Sequence, residues 1–241
     1  YLSVDSFKKQ LLFFKDKYGF ISKDEFIDVI NENIKPPKDK IILTFDDGLI
    51  DHYKFVYPIL KEMKLWGVFY IPTAQFTDKK ILPVHLIHLL CGSIQPKKLI
   101  NQLNSLIKDY MIPDKKIKSF RDDTYNNQKN VEDIYLFKRT LNFYIDYKYR
   151  FELINSLMNL NNLSFNTKDV YLDQKQLLEM SKDMIIGSHS HSHPVFSKLS
   201  YKEQQNDISK SFLELSRIIN RFTIKSFCYP YGGDHVFNIN T

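Results

Sequence analysis

Two neighbouring carboxylates, Asp46 and Asp47, follow the apolar run Lys40-Ile41-Ile42-Leu43-Thr44-Phe45 and precede Gly48. At the end of a buried strand such a pair must be solvated, paired or bound to a cation, because unpaired burial of charge is costly. Neighbours on an extended chain point to opposite sides, so the two can do different work. Gly48 permits a tight turn. The plain alternative is a helix cap followed by an Asp-Gly turn. A second cluster is Gly187-Ser188-His189-Ser190-His191-Ser192-His193-Pro194, which packs three of the seven histidines into five residues. His189 and His193 are four apart, so one helical turn would set both imidazoles on the same side of a cation. Pro194 disfavours helix at His193 and limits this to a single turn in a loop. His191 falls off the shared face and reads as an outer contact or an exposed residue. A third segment, Phe227-Cys228-Tyr229-Pro230-Tyr231-Gly232, reads by itself as a strand and a Pro-Gly turn, with Cys228 a small core residue.

These segments need strands and helices to position them. Phe7, Leu11, Phe14 and Tyr18 recur at helical spacing, and Ser22 to Glu25 has the spacing of a capping box that opens a second helix through Phe26 and Ile30. Pro36-Pro37 breaks the chain before the apolar run at 40–45, which is expected to be a buried strand. A helix through Phe55, Ile59 and Met63 follows, with Pro58 near its start or kinking it. Gly67-Val68-Phe69-Tyr70-Ile71 is the next strand, so strand, helix and strand suggest a βαβ unit and a parallel sheet. From about Gln75 to Asp169, helical patterns (Leu86 to Leu90, Tyr135 to Leu157) alternate with polar stretches such as Asp122-Asp123-Thr124-Tyr125-Asn126-Asn127. This is expected to be a mostly helical insertion, 75–169, within a single domain spanning 1–241. The α/β pattern resumes with a helix at Gln174 to Ser181 and a strand at Met184 to Gly187. A capping box at Ser200 to Glu203 opens a helix with Ile208, Phe212, Leu215 and Ile219 on one face. A last strand is expected at Ile224 to Tyr229. Functional groups of parallel α/β folds gather where strands end, and three of these strands end in the unusual segments. One carboxylate and two histidines with open coordination positions suit zinc, and would equally suit ferrous iron.

Composition narrows the field. Hydrophobic residues make up 43% and charged residues 26%, the balance of a globular chain. The net charge of +6 is spread over stretches such as Pro96-Lys97-Lys98 and Asp114-Lys115-Lys116, with no nucleic-acid motif beside it. Two cysteines, Cys91 and Cys228, allow one bridge and no disulfide framework. No apolar run approaches the ~20 residues of a membrane span. The many aromatic rings read chiefly as core, with some available to a sugar-binding groove.

The segment Thr44-Phe45-Asp46-Asp47-Gly48 resembles the first motif of the polysaccharide deacetylases (NodB-homology domain, carbohydrate esterase family four). His189-Ser190-His191-Ser192-His193-Pro194 is similar to their second motif, and Phe227 to Gly232 to their third, in the same order and strand context. The resemblance implies a distorted, incomplete (β/α) barrel that removes N-acetyl groups from an amino-sugar-containing polysaccharide or glycan precursor. It implies a divalent metal, zinc or another transition metal, held by Asp47, His189 and His193, with Asp46 as catalytic base. Tyr231 would line the site and its backbone N–H would help to hold the oxyanion. Two features depart from the pattern. Cys228 stands where many members have an arginine that orients the base. A late Leu-x-His that supplies the general acid is not seen before Thr241, and His235 follows the third motif too closely to replace it, so the expectation includes a C-terminally truncated domain. The long insertion is expected to form a lid or a subunit interface. The implied partner is a carbohydrate with N-acetylated sugars, in an extracytoplasmic or envelope setting, with no nucleic acid. Competing readings are a non-catalytic glycan-binding protein on the same scaffold and a metal-dependent hydrolase of another ester or cyclic amide.

Overall fold

The computed structural model describes residues 2–32, 34–113, 124–125, 130–220 and 222–238. Asp114-Lys115-Lys116 and, apart from Thr124 and Tyr125, the polar stretch 122–127 lie outside the described residues. The chain divides into two compact units, one of Tyr1–Asp78, Lys168–Ser192 and Asn206–Cys228, the other of Lys79–Thr167, His193–Gln205 and Tyr229–Thr241.

The first unit is α/β. Its strands are β1 (Thr44–Asp46), β2 (Val68–Ile71) and β3 (Ile185–Ser188), all parallel and paired in the order β1-β2-β3. The register sets Phe45 beside Phe69 and Asp46 beside Tyr70, then Tyr70 beside Gly187 and Ile71 beside Ser188. Parallel pairing aligns the carboxyl ends of the strands, so Asp46 and Ser188 finish on one side of the sheet. Among the described residues the sheet stays open; a single parallel bridge, Ser188 to Phe227, extends it beyond β3. The strand expected over 224–229 is therefore reduced to that bridge. The run 40–45 also departs from expectation. Only its end is strand, with one bridge at Ile41, and Ile42, Thr44 and Asp46 are exposed. Strand by strand the burial differs: β1 alternates exposed and half-buried residues, whereas β2 has Val68, Phe69 and Ile71 fully buried and β3 is buried throughout.

Helices α1 (Val4–Lys17), α2 (Lys23–Glu32), α3 (Tyr57–Glu62) and α4 (Ala74–Thr77) belong to this unit. The Ser22–Glu25 box is formed at 2.9 and 3.2 Å. Pro58 is the second residue of α3, where the displaced hydrogen-bond ladder of the preceding turn accommodates its missing N–H. The residues before it, His52–Val56, form a π-turn that continues into α3. After a short helix α9 (Thr167–Val170), helix α10 (Gln174–Asp183) carries a reciprocal capping box between Asp173 and Gln176. The core joins Leu11, Tyr57, Ile59, Leu60, Phe69, Ile71, Leu177, Met180, Ile186, Leu215 and Ile219. Phe45 stacks on Phe69 with ring centroids 4.7 Å apart.

The second unit is helical, with α5 (Pro83–Ser93), α6 (Pro96–Leu106), α7 (Glu132–Arg139) and α8 (Tyr147–Leu160). Leu99, Leu103, Phe137, Leu141, Ile154 and Leu157 are fully buried in it. Helix α11 (Tyr201–Ile219) starts in this unit from the Ser200–Glu203 capping box, whose backbone bonds measure 2.7 and 3.4 Å. It continues in the first unit, where it buries Ser211, Leu215 and Ile219.

Candidate metal centre

The site of the first unit is built where β1 and β3 end. Asp46 is the last residue of β1, and the chain turns immediately. Asp47 and Gly48 both take left-handed conformations, φ 80° and 61°. Asp tolerates that region better than most residues, and Gly pays no Cβ cost there. A Cβ at Gly48 would also stand 2.8 Å from the buried Gln75 amide nitrogen, so the Gln75 side chain would have to shift. The turn is tied down by Leu172, whose N–H donates to the Gly48 carbonyl at 3.1 Å.

His189 follows β3 directly and is 3% exposed. Its backbone N–H continues the sheet ladder onto Ile71 O at 3.1 Å. Its Nδ1 lies 2.8 Å from the Cys228 carbonyl oxygen. A carbonyl only accepts, so Nδ1 carries the proton and Nε2 is left as the ligand nitrogen. Nε2 faces Asp47 Oδ1 at 3.7 Å, too far for a hydrogen bond. A neutral imidazole lone pair aimed at a carboxylate oxygen is repulsive unless a proton or cation lies between them. The donor types and spacing fit a cation: bonds of roughly 2.0–2.1 Å to nitrogen and oxygen put two ligands on a tetrahedral centre roughly 3.3 Å apart. The Cys228 carbonyl then plays the usual part of the partner that fixes the tautomer of a ligating histidine.

Asp46 meets different neighbours. The Cys228 thiol points at its Oδ2 at 3.9 Å. Although Asp46 as a residue is exposed, desolvation by the protein packed around its carboxyl is the main reason that group is held above the ordinary carboxylate range; Asp47 adds to this, while His189 and Cys228 oppose it. The Cys228 thiol is pushed up to about 12 by burial first and then by the charges of Asp46 and Asp47, so it is a protonated donor. The ligand atoms of Asp46, His189 and Cys228 lie within 4.8 Å of one another. His52, beneath this turn, has its ring against Phe45 and Phe69 at 5.8 and 5.7 Å. Burial lowers its pKa to about 4, against the opposing pull of Asp47 and Asp51, so it is neutral.

The histidine loop is not the helical turn its spacing suggests. Ser190 and His193 are both left-handed, φ 69° and 54°, and the segment runs through bends. Within the first unit its hold is Asp207 on α11, whose carboxylate accepts from His191 N–H (2.6 Å), Ser192 N–H (3.1 Å) and Ser192 Oγ (2.6 Å). His191 is buried rather than exposed, with Nδ1 2.8 Å from Thr73 Oγ1, and burial lowers its pKa. Asp207 and Thr73 carry no motif signature; only the fold brings them to the loop.

His193 and Tyr231 belong to the second unit. There the His193 ring is buried against Tyr231 and His85, with centroids 5.0 and 5.9 Å apart. Tyr231 has φ 71°, and its hydroxyl donates to Asn142 Oδ1 at 3.1 Å. Burial holds the Tyr231 phenol far above its usual range, so it stays neutral. Asn142 Nδ2 donates to Tyr125 at 2.8 Å, Tyr147 donates to the Asn142 carbonyl at 3.2 Å, and Val195 N–H donates to Tyr147 at 2.9 Å. Apart from Tyr231, the members of this tyrosine–asparagine network lay outside the sequence motifs, and they are separated by up to 106 residues.

A family model, polysaccharide deacetylase, matches residues 148–239, a stretch that contains the second and third motif segments. No curated protein matches the sequence. Among solved structures, the fold is similar to the Streptococcus pyogenes deacetylase PplD in complex with acetate (TM-score 0.52, 20% identity, 98% of this chain and 65% of that one). It is also similar to IcaB from Ammonifex degensii (TM-score 0.52, 15% identity, 97% and 70%) and to the BpsB deacetylase domain from Bordetella bronchiseptica (TM-score 0.50, 17% identity, 96% and 70%). The chain thus spans about two thirds of the length of the first of these structures. By the family match over residues 148–239, together with the three motif segments, the chain is similar to the polysaccharide deacetylase family.

Proposed function

We propose that the chain is a metal-dependent hydrolase that removes N-acetyl groups from an amino-sugar-containing polysaccharide or glycan precursor, with Asp47, His189 and His193 as metal ligands and Asp46 as base. The observation that carries this reading is the pair His189 Nε2 and Asp47 Oδ1, 3.7 Å apart with the imidazole proton held on the other nitrogen by Cys228. Three residues separate His193 from His189, so chain connectivity keeps it within one short loop of that pair.

A bound divalent cation, zinc or another transition metal, would polarise the amide carbonyl and lower the pKa of water beside it. Asp46 takes the proton of the attacking water at its carboxylate. Burial, which raises the Asp46 carboxyl in the metal-free chain, favours a base that holds that proton. The Cys228 thiol, protonated, donates toward Oδ2 and keeps the carboxylate oriented. The Tyr231 backbone N–H would stabilise the oxyanion, a contribution worth roughly 3–4 kcal/mol for one well-placed donor. The Tyr231 side chain, fastened through its hydroxyl to Asn142, fixes the backbone that presents this N–H. On this reading the open sheet is part of a distorted, incomplete (β/α) barrel, and residues 75–169 are a helical insertion that forms a lid or a subunit interface. Deleting the insertion should then alter substrate range or oligomeric state, and an unchanged protein on both counts would remove that role.

Elemental analysis of metal per chain, for wild type and His193→Ala, tests the centre. Near-stoichiometric metal that disappears in the variant is expected, followed by acetate release from N-acetylated glycans. A wild type that holds no metal after reconstitution would overturn the hydrolase reading. A panel of esters and cyclic amides separates amide hydrolysis on sugars from related chemistries.

A further inference from the structure

We infer that Asp46, His189 and Cys228 form a second, thiol-containing coordination set that captures a thiophilic divalent cation in competition with the ligand set proposed above. The set lies wholly in the first unit, and its three donor atoms are within 4.8 Å of one another. Cys228 Sγ and Asp46 Oδ2 are 3.9 Å apart. With metal–sulfur bonds of roughly 2.3 Å and metal–oxygen bonds of roughly 2.0 Å, two donors on a tetrahedral centre stand roughly 3.5 Å apart. A few tenths of an ångström of movement would therefore close a cation between them.

The chemistry of the donors sets the preference. Thiolate selects soft cations, whereas carboxylate and imidazole alone suit harder ones. The thiol is protonated without a metal, so coordination expels its proton to solvent, and the S–H bond is exchanged for a sulfur–metal bond. His189 is common to both sets, and its Nδ1 is occupied by the Cys228 carbonyl. Nε2 can serve only one cation, so the two modes exclude each other. The thiol mode also consumes Asp46. Cation binding stands on geometry alone; its expected inhibitory effect rests on Asp46 being the base of the proposed hydrolase.

Cadmium ion, titrated into the chelator-stripped full chain, tests the inference through the thiolate-to-cadmium charge-transfer absorption in the ultraviolet. One equivalent of this signal per chain is expected in wild type and in Cys91→Ser, and none in Cys228→Ser. Asp46→Asn should keep the signal but raise the half-saturating cadmium concentration by at least the roughly tenfold that loss of an outer partner of a metal site costs. A signal that persists in Cys228→Ser, that is missing in wild type, or that ignores Asp46→Asn overturns the inference. Should Cys228→Ser fail to fold by circular dichroism, the Asp46→Asn comparison decides alone. The readout needs no turnover, so a protein that binds cadmium in this way and hydrolyses nothing refutes the hydrolase and leaves the site. Inhibition by cadmium that is relieved in Cys228→Ser would join the two.

Discussion

In the first unit, ionisable groups crowd at strand ends: Asp46 and Asp47 after β1, His189 after β3, and the Cys228 thiol facing Asp46. In the second unit, the phenols around Tyr231 are neutral and tied to one another beside the buried Arg150 guanidinium, with Asn142 linking the hydroxyls of Tyr125 and Tyr231 and the Tyr147 hydroxyl. The first arrangement sets carboxylates and imidazole near enough for a proton or cation to be shared. The second surrounds one buried cation, Arg150, with neutral groups and holds shape, because its donors meet acceptors and burial keeps the phenols protonated. Chemistry is therefore placed by backbone geometry, where parallel strands must end together. Surface shape is placed by a side-chain network that any helical scaffold could carry.

The sharpest test of this contrast is Asp46→Asn. On the proposed reading, hydrolysis falls roughly 10²–10⁴-fold while metal content stays near that of wild type; equal loss of both would make Asp46 a ligand instead. In metal-free protein the Asp46 carboxyl is raised, chiefly by burial. The same shift gives a stability sign for metal-free protein. A carboxyl whose folded pKa is raised favours the fold at low pH and loses that contribution as pH rises through the folded pKa. Asp46→Asn should then raise the neutral-pH melting temperature of the metal-free chain, and a lowered one would contradict the assignment.

In the core beneath that site, Phe69→Ala should cost about 3–5 kcal/mol in denaturant unfolding, as expected for a fully buried ring stacked on Phe45. In the second unit, Asn142→Ala should cost about 1–3 kcal/mol, since it leaves buried tyrosine hydroxyls unsatisfied. If Tyr231→Phe proves as costly as Asn142→Ala, the network is not the shared structure described. His52 supplies a pH effect of similar size. Its folded pKa near 4 lies below the ordinary 6.5, so its contribution is present above 6.5 and is lost as pH falls from 6.5 to 4. The loss approaches about 1.4 kcal/mol per pH unit inside that window. His52→Phe should flatten the acid side of the stability curve, and an unchanged slope would count against a neutral buried His52. The smallest effect expected is at a surface cap: Asp173→Ala should cost about 1 kcal/mol through loss of the α10 capping box.

Much of this was legible in the chain itself. The Phe7-to-Tyr18 spacing, the Ser22–Glu25 and Ser200–Glu203 boxes and the strand at Val68–Ile71 are local signals, and local signals survive folding. The carboxylate pair and the His189 cluster were visible because rare residue types recurred at short spacing. Other features were not legible. The apolar run at 40–45 gave no sign that β1 would be an outer strand, since that depends on strand order. The four-residue spacing of His189 and His193 suggested a helical turn, but the left-handed Ser190 and His193 and the grip of Asp207 give a bent, non-helical loop. His191 looked peripheral until Thr73 was seen to meet it.

The sequence by itself determined which residues could ionise or ligate, where the chain must turn and which short segments would be helix or strand, because these follow from side-chain chemistry and nearest neighbours. Only the tertiary structure decided that Cys228, 182 residues from Asp46, would turn its thiol to that carboxylate and its carbonyl to His189. That outcome depends on parallel strands ending in register, and register is set by the burial of Phe69 and its neighbours across the whole sheet rather than by any residue at the site.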